Sequence, residues 1–180
     1  LKAWPIKISR LFGLGSVSIR SFYYYLKKGS ALLKEKKFDL VFFSTSNFHV
    51  CTLGRYWKQK FGVPFIIDMQ DPWRNDFSMT HSQKNPVKFK IDYLLHKMLE
   101  AYTMPYADGL MSVSQNYIDD LHKRYPVLVS KPSAVLPFGM SEEDFALVKK
   151  KRIPPVISKE EKKINVIYIG ALNTFFYPII

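Results

Sequence analysis

Short apolar runs, each followed by a polar segment, recur along this chain. The clearest case is FGVPFIIDMQDPWRNDF, residues 61–77, in which Phe65, Ile66 and Ile67 follow Gly and Pro and precede several charged side chains. An apolar run of this length after turn residues predicts a buried strand of a parallel sheet. Its charged end then lies at the carboxyl edge of the sheet, where open α/β sheets bind ligands.

Similar runs predict the other strands, and helical spacing of apolar residues predicts helices between them. The unit strand, helix, strand in under thirty residues requires parallel pairing with a right-handed crossover. We therefore predict an α/β fold, a Rossmann-like parallel sheet with flanking helices, in which the polar segment 78–86 overhangs the sheet edge as a loop. The further predicted strands are FDLVFFSTSN (38–47), GLMSVS (109–114), SAVLPFG (133–139) and INVIYIG (164–170), and the predicted helices cover 48–60, 87–102 and 115–125.

Residues 17–37 have the pattern of a basic, aromatic, amphipathic helix. Apolar residues such as Phe22 and Leu26 follow helical spacing, whereas Lys27 and Lys28 fall on other faces. Two interpretations remain open at this point. The helix either packs on the sheet as an ordinary surface helix, or rests on an anionic membrane, where aromatic and cationic side chains are both favoured.

The chain is expected to contain one domain and the beginning of another. Residues 149–163 combine charge with two consecutive prolines, which is typical of an interdomain linker. The first domain is then expected to be 1–148, with its start missing, and 164–180 to be the first strand of a truncated second domain. A lone strand cannot bury itself, which is why we infer a second domain here.

Composition and charge restrict the possible partners. The 180 residues are 47% hydrophobic and carry a formal net charge of +12, which indicates a folded, basic protein. The charge is concentrated, because residues 1–37 hold nine Lys or Arg against Glu35 alone. Such a block indicates an acidic partner, with anionic lipid, a phosphate-bearing substrate and nucleic acid as candidates. The single Cys51 cannot form an internal disulfide, so we expect a reducing, cytoplasmic location.

Taken together, the chain resembles the amino-terminal half of a glycosyltransferase with the two-domain GT-B fold, in the family 4 group. The resemblance covers residues 38–170 and lacks the family's Gly-rich first strand and turn, so the first domain is expected to be an incomplete GT-B amino-terminal domain. It rests on the order and spacing of FDLVFFSTSNFHV, FGVPFIIDMQDPW, ADGLMSVSQNYIDDL, AVLPFGMSEEDF and INVIYIGAL.

This resemblance implies an enzyme that transfers a sugar from a nucleotide-sugar donor to a glycan or lipid-linked acceptor bound by this domain. The donor sits chiefly on the carboxy-terminal domain of such enzymes, so we expect the chain alone to be incomplete and inactive. It also implies a protein of polysaccharide biosynthesis, peripheral to the inner membrane face. Such enzymes generally use a nucleotide sugar as substrate and need neither a cofactor nor a bound metal.

Asp71 is the predicted catalytic residue. It closes the strand at the position where similar enzymes place a polar residue facing the reacting sugar, and a carboxylate there accepts the acceptor hydroxyl's proton or hydrogen-bonds the transferred sugar. The alternative is that Asp71 caps the turn that begins at Pro72. Asp68 and Asp71 do not suggest a metal pair, because residues an odd number apart on a strand point to opposite faces.

The remaining predicted site residues bind acceptor or donor. Trp73 either stacks on a sugar or lipid or belongs to the core. Arg74 either binds phosphate in a lipid-diphosphate acceptor or pairs with Asp76 or Asp68. Ser46, Asn47 and His49 are candidates for hydrogen bonds to sugar hydroxyls, with His49 alternatively a helix-start residue; Gly139 and Gly170 line the donor cleft in the resemblance and are otherwise turn glycines.

A second function class remains open, a non-catalytic basic module that binds phosphate or nucleic acid. Nucleic acid is disfavoured because Tyr23, Tyr24 and Tyr25 fall in a helical pattern, not on a strand surface that stacks bases. A dinucleotide-binding enzyme is also disfavoured. The pair Gly13 and Gly15 has no third glycine at the required spacing.

Overall fold

The computed structural model describes residues 17–74, 76, 86–139 and 141–151. The chain divides into two compact units, Leu1–Phe138 and Gly139–Ile180. The first unit contains the whole described sheet, and the described part of the second is one helix. The predicted strand 164–170 lies outside the described residues.

Helices alternate with four parallel strands in the first unit, in the order predicted. The strands pair in sequential order β1-β2-β3-β4, and every pair is parallel. The Rossmann-like α/β prediction is therefore confirmed. The elements are α1 (Val17–Glu35), β1 (Val41–Ser44), a 3-10 helix (Phe48–Cys51), α2 (Thr52–Phe61), β2 (Phe65–Met69), α3 (Pro86–Thr103), β3 (Gly109–Ser112), α4 (Gln115–Arg124) and β4 (Ser133–Val135); the second unit contains α5 (Glu142–Lys151).

One face of the sheet carries the core. Phe65, Ile67 and Met69 alternate along β2 and are almost completely buried. Helix α2 lies directly on this face, since a Cβ on Gly54 would come within 2.5 Å of the Phe65 ring. Trp57 of the same helix stacks on Phe43 of β1. The apolar run that predicts β2 is therefore the centre of the core.

Helix α1 packs on the outer side of α2. The indole N–H of Trp57 donates a hydrogen bond of 3.0 Å to the Ser30 hydroxyl, and Gly29 lies against the same ring. Phe22 and Leu26 of α1 pack against the core, whereas Tyr23 and Tyr24 are exposed. The helix has one packed side, and its tyrosines and the basic residues Lys27 and Lys28 lie on the others.

Several predicted boundaries differ from the observed ones. β1 covers Val41–Ser44 and not 38–47, and β3 ends at Ser112 and not at 114. β4 ends at Val135, four residues before the predicted end, because Pro137 cannot donate to a strand ladder. Lys149–Lys151 form the last turn of α5, so the helix extends three residues into the predicted linker. Residues 152–163 lie outside the described part of the chain, and the domain assignment stays a prediction.

Candidate functional site

The polar ends of the strands meet at one edge of the sheet. Ser44 of β1 pairs in register with Asp68 of β2, and Met69 pairs with Ser112 of β3. The Ser44 hydroxyl donates to Asp68 Oδ2 at 2.8 Å, and the Ser112 hydroxyl donates to the Met69 carbonyl at 3.0 Å. The predicted convergence of these ends is therefore observed.

A hollow of about 300 Å³ lies beyond β1 and contains one of the predicted sugar-binding side chains. Asn47 lines it together with Ser44 and Thr45, while Tyr25 of α1 forms its other wall. The Asn47 backbone N–H donates to the Thr45 hydroxyl at 2.8 Å, and Asn47 itself is exposed. Ser46 is also exposed but does not line the hollow. Hydroxyl and amide groups in such a hollow can hydrogen-bond a polyol.

Asp71 lies two residues beyond the end of β2, in an exposed turn. Its carboxylate makes no hydrogen bond or ion pair with another residue that the structure describes. The turn-capping alternative is not observed among these residues, since the Arg74 N–H in the same turn donates instead to Glu100. Asp71 is accessible to a substrate at the sheet edge.

Trp73 belongs to the core. Its side chain is 3% exposed and its ring stacks on Phe48 at 5.3 Å with an interplanar angle of 14°. Of the two alternatives raised for Trp73, burial in the core is the one that describes its position. A sugar could stack on this ring only after Phe48 and the surrounding turn had moved.

Arg74 forms a two-pronged ion pair with Asp76. Its Nε and Nη2 donate to the two carboxylate oxygens at 2.7 and 2.8 Å, and the Tyr93 hydroxyl donates to Asp76 Oδ1 at 2.7 Å. The hydrogen bonds with Arg74 lower the pKa of Asp76, and the same contact raises the pKa of Arg74. The ion-pair alternative is thus observed for Arg74, with its guanidinium still bordering open space.

That open space is a cleft of about 320 Å³ between the turn after β2 and helix α4. Its α4 wall was not predicted, although the residues recur at helical spacing on a helix that directly follows a strand. The cleft mixes donors, acceptors and one aromatic ring. It is lined by Met69, Pro72, Arg74, Asp76, Tyr117, Asp120, Lys123 and Arg124.

Glu100 is the buried group that joins the two walls of the cleft. Its side chain is completely inaccessible, yet Oε2 accepts the Arg74 backbone N–H at 3.1 Å. Oε1 accepts the Tyr125 hydroxyl at 3.0 Å and forms an ion pair with Arg124 Nη1 at 2.8 Å. Burial raises the pKa of Glu100, and the nearby Arg124 opposes that rise. One carboxylate therefore holds the turn after β2 and the end of α4 in place.

His49 contacts a second histidine that is distant from it in the sequence. It lies in the 3-10 helix after β1, half-buried, with its ring 4.9 Å from the ring of His96 on α3. Burial lowers the pKa of His49, the proximity of His96 lowers it further, and Asp92 acts in the opposite direction. The folded protein therefore favours neutral His49.

We predict that the burial of His49 beside His96 makes the protein less stable in mild acid. The unfolded chain binds a proton at His49 near pH 6.5, whereas the folded chain binds it only at lower pH, so the free energy of unfolding falls as the pH drops below that value. Urea denaturation between pH 7.5 and 5 measures this slope. His49→Gln is expected to flatten it. Equal slopes for wild type and His49→Gln would contradict the prediction.

Gly139 and Gly170 are the two predicted donor-binding glycines. Gly139 begins the second unit, and a Cβ added there would meet no heavy atom of the described residues within 4 Å, so no close approach demands a glycine. Gly170 lies outside the described residues. The donor-binding role of both stays a prediction.

The described ranges contain neither a cluster of metal ligands nor a membrane-spanning helix. No group of three His, Cys, Asp or Glu side chains there has metal-binding geometry. Within the same ranges, every helix is too short or too polar to cross a bilayer. Cys51 is buried, and burial raises the pKa of its thiol to about 12, which makes it a poor nucleophile.

No protein-family model and no curated protein matches this sequence.

Proposed function

We propose that this chain is the acceptor-binding part of a glycosyltransferase. The enzyme moves a sugar from a nucleotide-sugar donor to a glycan or lipid-linked acceptor. The single observation that carries the proposal is the edge of the sheet, where an accessible Asp71 lies two residues beyond β2 and directly precedes Pro72 of the cleft beside α4. Four parallel strands in unbroken order also match one half of a doubly wound sheet.

The charges around the cleft favour a sugar over a phosphate. Three cationic side chains line it, but Arg74 is paired with Asp76 and Arg124 with Glu100. Paired guanidinium and carboxylate groups present donors and acceptors with little net charge. Vicinal hydroxyls of a sugar both donate and accept, so they fit such pairs, and Tyr117 supplies an aromatic surface.

Asp71 serves as the general base in this proposal. The acceptor hydroxyl attacks the anomeric carbon of the donor sugar and forms the new glycosidic bond. The bond from that carbon to the nucleoside diphosphate breaks, and its electron pair leaves with the diphosphate. The hydroxyl proton goes to the Asp71 carboxylate.

The acceptor is expected at the cytoplasmic face of a membrane. Helix α1 supports this, because Tyr23 and Tyr24 are exposed beside Lys27 and Lys28. Aromatic and basic side chains together favour an anionic lipid interface. Nucleotide sugar, acceptor and membrane are thus the proposed partners.

The function is tested by the release of nucleoside diphosphate. The complete polypeptide that its gene encodes is incubated with a panel of nucleotide sugars, with and without membrane lipid extract as acceptor source. We expect release that requires both one particular nucleotide sugar and the extract. The alternative class, a basic phosphate- or nucleic-acid-binding module, predicts no release and instead predicts nucleic-acid binding that weakens steeply with salt. That combination would overturn the proposal.

A further inference from the structure

An apolar groove of about 400 Å³ lies between three helices, away from the edge that carries Asp71. Helix α1 forms one wall, α3 the opposite wall and α2 the floor. Its surface is almost entirely apolar apart from hydroxyl groups. The lining residues are Phe22, Leu26, Thr52, Leu53, Tyr56, Leu99 and Tyr102.

Arg55 lies at the α3 margin of this groove as a cation without a carboxylate. Its guanidinium is sandwiched between the rings of Tyr102 and Tyr106, 4.1 and 3.7 Å from their centroids, and Nη1 donates to the Tyr102 carbonyl at 2.8 Å. Within the described part of the chain, no carboxylate is within 4 Å of it, and its buried Nε makes no hydrogen bond. The neighbouring Lys58, by contrast, pairs with Asp108 at 2.7 Å.

A partly buried guanidinium without a carboxylate partner favours the binding of an anion from solution. Burying a charge without a partner is costly, and binding an anion removes that cost. The guanidinium geometry matches two oxygens of a phosphate. Because Tyr102 both lines the groove and stacks on Arg55, an anion at Arg55 would adjoin the apolar groove.

Lys60 adds a second cation beside the groove. Its ammonium donates to the Tyr56 hydroxyl at 2.8 Å, and Tyr56 lines the groove. The groove therefore has an apolar interior and a cationic rim. That combination is complementary to an amphiphile with an apolar chain and an anionic head.

We propose that the groove binds one acyl chain of an anionic phospholipid, with the lipid phosphate against Arg55. A bilayer supplies the lipid, because exposed Tyr23, Tyr24, Lys27 and Lys28 on α1 adjoin the groove wall formed by Phe22 and Leu26. Aromatic and basic residues favour the bilayer interface. The lipid site goes beyond the proposed transferase and does not depend on it.

Vesicle binding by the full chain tests the proposal. Sedimentation is measured with vesicles of phosphatidylcholine and phosphatidylglycerol, and with phosphatidylcholine alone. Leu26→Trp fills the groove yet adds a residue that bilayer interfaces favour. We expect it to weaken binding to the mixed vesicles about tenfold. Leu99→Phe fills the groove from α3 and is expected to act in the same direction, should Leu26→Trp not fold by circular dichroism.

A charge-matched pair tests the role of Arg55. Arg55→Gln and Lys97→Gln each remove one positive charge, but Lys97 is exposed on α3 and does not line the groove. We expect Arg55→Gln to weaken binding about fivefold more than Lys97→Gln. Equal losses for these two variants would overturn the proposal. So would filled-groove variants that bind as tightly as wild type, because the protein would then only adsorb to the vesicle surface. So would binding of a soluble short-chain fatty acid without binding of vesicles.

Discussion

Replacing Glu100 with alanine is expected to lower the free energy of unfolding by about 3–5 kcal/mol, the usual cost of removing one partner from a buried ion pair. The carboxylate is inaccessible to solvent and accepts from Tyr125 and from the Arg74 backbone. Its removal leaves those donors without an acceptor and Arg124 without its counter-charge. A loss of this size is a large part of the stability of a small domain, and urea denaturation followed by circular dichroism measures it.

Three further variants separate charge from hydrogen bonding at this position. Glu100→Gln also removes the counter-charge of Arg124 but keeps one acceptor oxygen, so it is expected to cost less than Glu100→Ala. Combining Glu100→Leu with Arg124→Met leaves no unpaired charge. That double variant is expected to be more stable than Glu100→Leu alone. If both unfold at the same urea concentration, Arg124 does not depend on Glu100.

The position of the strands could be predicted because it depends on local signals. β2 is an apolar run between a Gly-Pro turn and a charged segment, and its pairing follows from the short connection through α2. Once strands are parallel, their carboxyl ends meet at one edge. The proximity of Ser44 and Asp68 therefore followed from chain order alone.

The interior of the site could not be predicted, because it depends on contacts between distant segments. Glu100 looks like one more polar residue of an amphipathic helix, and only folding brings it to Tyr125 and to the turn at Arg74. Trp73 follows the strand, so its direction is set by the turn, and the turn directs it onto Phe48. Spacing along the chain carries no information about either contact.

Helix α5 shows a local signal that was overlooked. Its lysines, together with the prolines that follow, resemble a linker by composition. However, the Asp144 N–H donates to the Ser141 hydroxyl at 3.2 Å, which is the contact of a helix cap. Glu142 and Glu143 occupy the first turn and Lys149–Lys151 the last, the arrangement that the helix dipole favours. The order of acidic and basic residues along the segment therefore indicates the helix, whereas its overall composition suggests a linker.

Replacing Asp71 with alanine is expected to reduce sugar transfer by the complete polypeptide about 10²- to 10⁴-fold, the usual contribution of a general base. The carboxylate lies in an exposed turn and makes no contact with another described residue, so its loss should leave the fold intact. Transfer rates at saturating substrate, together with urea denaturation, measure both effects. Asp39→Ala is the matched control, because Asp39 is equally exposed but precedes β1 at the opposite edge of the sheet.

Asp71→Asn then distinguishes the two roles of the carboxylate. Asparagine can still hydrogen-bond a sugar hydroxyl but cannot accept its proton at neutral pH. If Asp71 is the base, Asp71→Asn loses kcat as severely as Asp71→Ala while KM for the acceptor changes little. If Asp71 only binds the sugar, Asp71→Asn retains most of kcat and the alanine variant raises KM. If both variants turn over at the wild-type rate, Asp71 has no role in the mechanism. The neighbouring cleft would then serve only to bind a ligand.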